Sequence, residues 1–444
     1  MHLSPLNEEH INLLQGLSNE IRRVNATPGD VEEAIARVLS ERNDPSRRDD
    51  PLAVPLRAVV PERAPRSEAV LAADGELLVW DRDAVAAVGA LRDPALPFAP
   101  GNPPSIGELV TPNVRSLRLP PPAEGTSPEE VLRRALAAVV SAGRRVSFNH
   151  GTVCNIATMS VKQFTAPIPV VYRLPLRDTD AATGFGVGRG FGVKVAVLDT
   201  GTDWELSDRR DGRTDGWLAG VVEDREPESR NPSRRRQPFE HWSVGHGTSV
   251  AGIIRMVAPA THVHVYRVAV LGVASEVAVA QAILRAARDG ADIINLSLGT
   301  PALPEHAPLA IEDALAQLPP RVLVVASAGN HGTFAKAYPA AFDRVVAVGA
   351  TDLHDRRLPW SGKGDHVTVS TRGLVVAPYV QDRRVPGRNP FAALAGTSFS
   401  CPQVSGALAV LLSNGIAPSQ AVDALIANGH PEPDFGVIVP VLDQ

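Results

Sequence analysis

Three short motifs carry side chains that together could cleave a peptide bond. An apolar, β-branched run over 193–198 ends at Asp199, which begins Asp-Thr-Gly. His246 stands between two glycines at the start of an apolar segment, and Ser398 follows Gly-Thr at the start of another. A serine hydroxyl becomes nucleophilic when a histidine takes its proton and a carboxylate orients that histidine. The motifs therefore predict a catalytic triad with Ser398 as the nucleophile.

The helix predicted to begin at Ser398 contributes to this chemistry. The first N–H groups of a helix have no partner inside the helix, so they can donate to an oxyanion. We expect Pro402 to lie in the first turn, where its missing N–H costs nothing. Each catalytic side chain is therefore expected at the end of a strand or the start of a helix.

The chain order Asp, His, Ser is the order found in subtilisin, and it differs from that of chymotrypsin and of the α/β-hydrolases. On these three motifs, the chain resembles the subtilisin-like serine proteases (subtilases) from about Val170 to the C-terminus. The resemblance implies that Asn330, in Ala-Ser-Ala-Gly-Asn, donates its amide to the oxyanion together with the Ser398 N–H.

The resemblance also implies where a substrate lies. An extended peptide is expected to add as a strand between two edges, one at 296–299 and one at 271–275. Ala326, Ala328 and Gly329 are expected to floor the primary specificity pocket without a charge, which favours apolar or uncharged substrate side chains. The substrate-binding residues implied in this way are Ser297, Leu298, Gly299, Ala328 and Gly329.

Two other hydrolase classes fit the motifs less well. Asp-Thr-Gly is also the signature of aspartic proteases, but these need two such carboxylates, and the sequence has only the one at Asp199. The α/β-hydrolases need Gly-x-Ser-x-Gly at the nucleophile, whereas residue 400 is a serine. Neither class is supported by the sequence.

Some residues depart from the usual subtilase motifs. Ser249 replaces the second histidine of His-Gly-Thr-His, and residues 399–403 read Phe-Ser-Cys-Pro-Gln instead of Met-Ala-Ser-Pro-His. These changes are expected to alter substrate shape and local packing more than the reaction itself. Cys401 is expected to face inward, as a packing residue.

From Val193 onward, apolar strands alternate with helices, which predicts a doubly wound parallel α/β sheet. A helix is predicted between an N-cap at Ser275 and Gly290. Ligands of such sheets bind beyond the carboxyl ends of the strands, where Asp199 and Asn330 are placed. The predicted strands are 193–198, 262–268, 292–298, 322–327 and 344–348.

Ahead of this catalytic domain, 170–444, residues 51–165 predict a small α+β region. A capping box at Ser127 opens a helix over 128–142, and an irregular stretch is expected from Gly151 to Leu176. Subtilase prosegments chaperone folding and occupy the active-site cleft, so this region is either such a prosegment or an accessory domain. Its predicted strands are 76–80, 114–119 and 144–148.

Residues 1–45 predict a small helical module of two amphipathic helices. A unit of this size cannot bury a core alone, so it either packs on the rest of the chain or docks a protein partner. The charged, proline-rich stretch from Asn43 to Ser67 is expected to be a linker.

Composition narrows the partners and the compartment. The 444-residue chain has a net charge of −5 and a pI near 6.2, so no nucleic acid or anionic membrane is expected as a partner. The N-terminus lacks a signal-peptide pattern, no apolar run spans a bilayer, and only two cysteines occur. We therefore expect a cytoplasmic protein without a disulfide framework.

No cofactor or metal is expected. The histidine helix, over 251–259, has no room for the calcium loop that family members often insert there. A small acidic group follows the first motif and is either a solvated loop or a calcium site. Its members are Asp203, Asp208 and Asp211.

The sequence thus predicts a serine endopeptidase that hydrolyses polypeptides through Asp199, His246 and Ser398, assisted by Asn330. The alternative is a protease-fold binding protein whose activity is lost or permanently masked. All four catalytic positions are filled, which argues against a lost activity but leaves masking open.

Overall fold

The structure, a computed structural model, describes the residues around all four predicted catalytic side chains. The acidic group at Asp203, Asp208 and Asp211 and most of the helical module 1–45 lie outside the described residues. The described residues are 36, 39, 40, 43, 50, 52–60, 69–154, 168–170, 188–202, 221–223, 245–302, 304–378, 391–427 and 429–441.

Strands and helices alternate through the C-terminal two thirds of the chain. In chain order, the strands are β1 (Leu56–Val59), β2 (Val70–Trp80), β3 (Ser105–Leu109), β4 (Val114–Arg118), β5 (Val146–Cys154), β6 (Ile168–Val170), β7 (Lys194–Asp199), β8 (Val221–Glu223), β9 (His262–Arg267), β10 (Val273–Ser275), β11 (Ile293–Leu296), β12 (Leu298–Pro301), β13 (Leu323–Ser327), β14 (Ala337–Tyr338), β15 (Val345–Thr351), β16 (Val369–Arg372), β17 (Leu374–Pro378), β18 (Phe391–Ala395), β19 (His430–Glu432) and β20 (Gly436–Ile438). The α-helices are α1 (Ala84–Ala90), α2 (Pro128–Ser141), α3 (His246–Val257), α4 (Glu276–Arg288), α5 (Leu309–Ala316), α6 (Thr397–Ser413) and α7 (Pro418–Ile426).

Within the described residues, nine strands form one large sheet in the order β19-β20-β16-β15-β13-β11-β7-β9-β8. The neighbours pair in parallel, except β19 and β20. Parallel strands need crossover connections, and helices α3, α4 and α5 lie in the connections from β7 to β9, from β9 to β11 and from β11 to β13. The predicted α/β class is confirmed.

The two faces of this sheet are covered by different helices. Along β7, Val195 and Val197 belong to the core that includes α3 and α6, whereas Ala196 and Leu198 belong to the core of α4 and α5. Successive side chains of a strand point to opposite faces, so a strand covered on both sides must be apolar throughout. This requirement explains the unbroken apolar runs that end at the catalytic motifs.

The N-terminal region forms an antiparallel sheet in which β5, β2, β4 and β3 are neighbours. Helix α2 covers one face, with its apolar side buried and with Ser127 Oγ accepting a hydrogen bond from the Glu130 N–H at 3.1 Å. The other face lies on α4 and α5, because Leu78 and Val114 share the core of these helices. This sheet and the large sheet are therefore joined through α4 and α5.

Polar side chains of the N-terminal sheet cap both of these helices. Ser147 Oγ accepts from the Leu309 N–H at 3.3 Å, and Asn149 Oδ1 accepts from the Val277 N–H at 3.4 Å. The first N–H groups of a helix need such partners when they are buried. Side chains of the N-terminal sheet thus accept hydrogen bonds from the first N–H groups of two helices of the catalytic region.

Strand β5 is longer than predicted and continues to Cys154. The expectation of an irregular stretch from Gly151 is wrong for 151–154, because Val153 pairs antiparallel with both Val273 of β10 and Gly299 of β12. The linker expected over 43–67 is also wrong in part, since β1 pairs with β2. In both cases distant partners supply the backbone hydrogen bonds.

By length and apolar composition, none of the described helices could cross a bilayer alone. Helices α6 and α7 meet these criteria only as a pair, and their axes are bent by 120°.

One buried carboxylate holds the N-terminal sheet on α5. Asp313 is 2% exposed and accepts hydrogen bonds from Thr111 Oγ1 at 2.7 Å and from Asn113 N and Nδ2 at 3.0 and 2.9 Å. Burial tends to raise the pKa of this carboxyl, but the hydrogen bonds from Asn113, Thr111 and Gln317 outweigh it and lower the pKa. The ionised carboxylate therefore stabilises the folded state.

We predict that Asp313→Asn lowers the free energy of unfolding at neutral pH by about 2 kcal/mol, because it leaves buried donors without an acceptor. The wild-type advantage is complete above the unfolded aspartate pKa of about 3.9 and is lost as the pH falls through the lowered folded value. Urea unfolding from pH 7 to pH 2.5 measures this difference. An advantage independent of pH over this range would contradict the assigned role.

Candidate active site

Asp199 lies at the carboxyl end of β7 and is fully buried. Its Oδ1 accepts from the Thr200 N–H at 2.7 Å, and the two carboxylate oxygens lie 2.8 and 2.9 Å from His246 Nδ1. A buried carboxylate is costly unless several donors satisfy it. The pair with His246 provides this compensation and fixes the orientation of the imidazole ring.

His246 is the first residue of α3, and the glycines on either side of it have different structural roles. Gly245 precedes the helix in the left-handed conformation, with φ 88°. A Cβ added to Gly247 would lie 2.3 Å from the Gly201 carbonyl oxygen and 3.2 Å from Asp199 Oδ1. The Gly-His-Gly motif therefore reflects the close approach of α3 to the end of β7.

Ser398 is the second residue of α6, which begins after Gly396, with φ 154° and ψ 155°. The serine is 1% exposed, and its hydroxyl donates to the Ser297 carbonyl oxygen at 3.2 Å. In return, Ser297 Oγ donates to the Ser398 carbonyl oxygen at 2.9 Å. Ser297 thus holds both the side chain and the backbone of Ser398.

The expectation for Pro402 is wrong in position. Because α6 begins at Thr397, Pro402 lies in its second turn, inside the helix. A residue there would normally donate its N–H to the carbonyl four residues earlier, which belongs to Ser398. The hydroxyl of Ser297 replaces that missing donor.

Helices α3 and α6 bring the histidine and the serine motif together. The ring of Phe399, next to Ser398, lies 5.4 Å from the His246 ring between centroids and is tilted by 48°. A Cβ added to Gly406 would lie 2.7 Å from Val257, so the two helices approach closely along their length. Among the described residues, His246 Nε2 is buried without a hydrogen-bond partner.

Asn330 is 2% exposed and follows the end of β13. Its Oδ1 accepts from the Thr397 N–H and from Thr397 Oγ1, both at 2.9 Å. These bonds orient the amide so that its oxygen faces the start of α6. The structure therefore places Asn330 beside the residue that precedes Ser398.

The residues expected to bind substrate lie on two segments of the chain. Leu298 and Gly299 belong to β12, and Ala328 and Gly329 follow β13. Next to Gly329, His331 has a pKa lowered to about 4 by burial and by the neighbouring His366. His331 is therefore neutral at pH 7, in keeping with an uncharged pocket.

The edges that were expected to bind a peptide are already occupied. Strand β5 lies between β10 and β12, antiparallel to both, and the Cys154 N–H donates to the Gly272 carbonyl oxygen at 2.7 Å. Cys154 is fully buried, with its sulfur within 4.8 Å of ligand atoms of Asp199 and His246. Burial, and secondarily the charge of Asp199, raise the pKa of its thiol well above the usual value. Cys154 is thus an uncharged site residue that sequence reasoning missed.

A second group of missed residues lies behind the serine. Asn295, on β11, donates from Nδ2 to Ser297 Oγ at 3.0 Å and accepts through Oδ1 from Cys401 Sγ at 3.2 Å and Ser405 Oγ at 2.9 Å. This network ties α6 to β11 and to Ser297. Cys401 is fully buried, as expected, but it also takes part in this hydrogen bonding. The sequence indication of this network was the pair of small polar residues at 401 and 405, one helical turn apart, which both donate to Asn295.

Comparison with known proteins identifies the family of this chain. The model of the subtilase family matches residues 190–431, more than half of the chain. The chain belongs to the subtilase family. It is therefore a subtilisin-like serine peptidase, a hydrolase of peptide bonds.

Similar proteins include well-known subtilisins. Subtilisin DY from Bacillus licheniformis is 32% identical over 258 residues, which cover 55% of this chain and 85% of that protein. Subtilisin Savinase from Lederbergia lenta is 34% identical over 233 residues, covering 50% and 77%. Among solved structures, a lanthipeptide protease matches with a TM-score of 0.49 at 22% identity, covering 60% of this chain and 90% of that one.

Proposed function

We propose that this subtilase is a serine endopeptidase whose catalytic triad is Asp199, His246 and Ser398. The observation that carries the proposal is the buried hydrogen bond from His246 Nδ1 to Asp199, with the Ser398 helix packed on the imidazole through Phe399. A proton on Nδ1 leaves Nε2 free to accept the proton of the serine hydroxyl.

The reaction follows from these positions. In the reaction, Ser398 Oγ gives up its hydrogen bond to the Ser297 carbonyl and donates to His246 Nε2 instead. The oxygen then attacks the substrate carbonyl carbon while His246 takes the proton and gives it to the leaving amine, which leaves the acyl group on Ser398. Water, deprotonated by the same histidine, then hydrolyses this ester, and the proton returns to Ser398 Oγ. Asp199 stabilises the imidazolium formed in each of these stages.

The oxyanion is proposed to bind the Ser398 N–H and the amide of Asn330. Support comes from the bonds between Asn330 Oδ1 and Thr397, which hold the amide at the first turn of α6. Donors fixed before the reaction stabilise developing charge without the cost of reorganising during it. Peptide substrates are proposed to lie along Ser297, Leu298 and Gly299, with a side chain over Ala328 and Gly329.

We predict that Ser398→Ala abolishes peptide hydrolysis and that Asn330→Ala lowers kcat by roughly 10²–10³, the loss found on removing an oxyanion-hole donor of subtilisin. KM should change little, because the amide acts mainly in the transition state. Steady-state kinetics measure both effects, with the exposed Asn414→Ala at the end of α6 as a control. A change confined to KM would assign Asn330 to substrate binding instead.

We further propose that residues 51–165 form a prosegment whose final strand is β5. This proposal is supported by the antiparallel position of β5 between β10 and β12 and by Cys154 beside the catalytic pair. A chain running from Gly151 to Cys154 in this way approaches the triad as the N-terminal half of a substrate does. The bond to be cut therefore follows Cys154 or the next residue.

The wild-type protein is predicted to split once, leaving fragments that end at residue 154 or 155 and begin at residue 155 or 156. Because the cut uses the protein's own triad, Ser398→Ala should remain full length. Intact-mass and terminal sequencing of both purified proteins measure this. A cut upstream of 154, or the same cut in Ser398→Ala, would exclude self-cleavage at this position.

The second candidate function is a permanently masked, protease-fold binding protein. The observation in its favour is that β5 fills the cleft while the Ser398 hydroxyl bonds to Ser297. The same experiments distinguish the two candidates, since a masked protein stays uncut and hydrolyses no peptide even with Ser398 intact.

A further inference from the structure

A buried carboxylate of the catalytic region, that of Glu276, contacts a side chain of β5. Glu276 is fully buried, and its Oε2 lies 2.8 Å from Nδ1 of His150, which is 1% exposed. The same oxygen accepts from the His150 N–H at 3.2 Å, and Oε1 accepts from the Ala310 N–H at 2.7 Å. Two of these three hydrogen bonds come from β5.

Glu276 lies where it would contact a peptide that takes the place of β5. Gly151 pairs with Ser275, the last residue of β10, so His150 lies opposite Glu276, the first residue of α4. His150 precedes Cys154 by four residues, and Cys154 lies beside the catalytic pair. If a peptide takes the place of β5, the residue at the place of Cys154 lies next to His246. Glu276 then contacts the residue four positions before it.

No described side chain near Glu276 and His150 supplies a positive charge to the Glu276 carboxylate. Among the described residues, Glu276 contacts His150 Nδ1 at 2.8 Å and has no ion pair with a lysine or arginine. The nearby carboxylates Glu76 and Glu312 bond to Asn149 and Arg145 instead. The third neighbour, His306, has a pKa lowered by its burial. Apart from the backbone N–H groups of Ala310 and His150, the His150 ring is the partner of this carboxylate among the described residues.

We propose that Glu276 is a specificity-determining residue that selects substrates with a cationic or hydrogen-bond-donating side chain at the place of His150. This inference rests on the proposed function, because it takes β5 as occupying the substrate site. A peptide that replaces β5 always supplies a backbone N–H, but only some side chains replace the second donor. A carboxylate left short of donors is costly, and a second carboxylate beside it is repelled. Lysine and histidine are therefore favoured, alanine is disfavoured, and aspartate is excluded.

The direct test is cleavage of synthetic peptides by the purified full-chain protein. The peptides have the sequence of residues 146–159, between a fluorophore and a quencher, with His, Lys, Asn, Ala or Asp at position 150. We expect kcat/KM for the His and Lys peptides to be about tenfold above that for Ala, as for one charge-assisted hydrogen bond, with Asp lowest.

Glu276→Gln keeps the shape of the side chain and should reduce the spread among the His, Lys and Ala peptides to about twofold. Glu312→Gln, at a carboxylate that also meets the N-terminal sheet but bonds to Arg145, should keep the wild-type order. Equal kcat/KM for the His and Ala peptides in the wild type would overturn the proposal. So would an unchanged preference in Glu276→Gln.

A second measurement does not need catalysis and separates this inference from the proposed function. In full-length Ser398→Ala, His150→Ala and Glu276→Gln are combined in a double-mutant cycle of urea unfolding. We expect the effects to be non-additive, with a coupling of at least fivefold in the unfolding equilibrium constant. Additive effects would overturn recognition of position 150 by Glu276. Absence of peptide cleavage alongside this coupling would instead overturn the proposed function.

Discussion

The arrangement of the site depends on the compensation of one buried charge, the carboxylate of Asp199. At the end of β7, this carboxylate accepts hydrogen bonds from the Thr200 N–H and from His246 Nδ1. The histidine can approach this closely because Gly247 has no side chain to collide with Gly201. The need to satisfy the carboxylate therefore determines the position of α3. Helix α3 in turn determines where α6 and Ser398 can pack.

Strands β10 and β12 explain how the N-terminal region and the catalytic region fit together. Strands β10 and β12 each present backbone groups that need partners, and β5 supplies partners to both. The contacts on α4 and α5 then hold the N-terminal sheet in place. Under the proposed function, backbone pairing would serve any peptide that replaces β5, whereas Glu276 and the residues near Gly329 would discriminate among peptides.

The close approach of Asp199, His246 and the Ser398 motif could be predicted from the sequence, because each is a polar residue near a glycine at a strand end or helix start. The extension of β5 over 151–154 could not be predicted from the sequence. Four residues are too few to show a strand periodicity, and their pairing partners lie more than a hundred positions away. Cys154 and Glu276 became site residues only through this pairing. The place of Pro402 depended on where α6 begins, and local patterns fix helix ends only to within a few residues.

Mapping of a fluorophosphonate probe on the intact wild-type protein and on His246→Ala tests most directly whether Ser398 and His246 act together. We expect a single adduct, located by peptide mass spectrometry on Ser398, and a large loss of labelling rate in His246→Ala, because the histidine activates this hydroxyl. An adduct on a different residue, or equal labelling of the two proteins, would contradict the assignment of Ser398 and His246 to one catalytic unit.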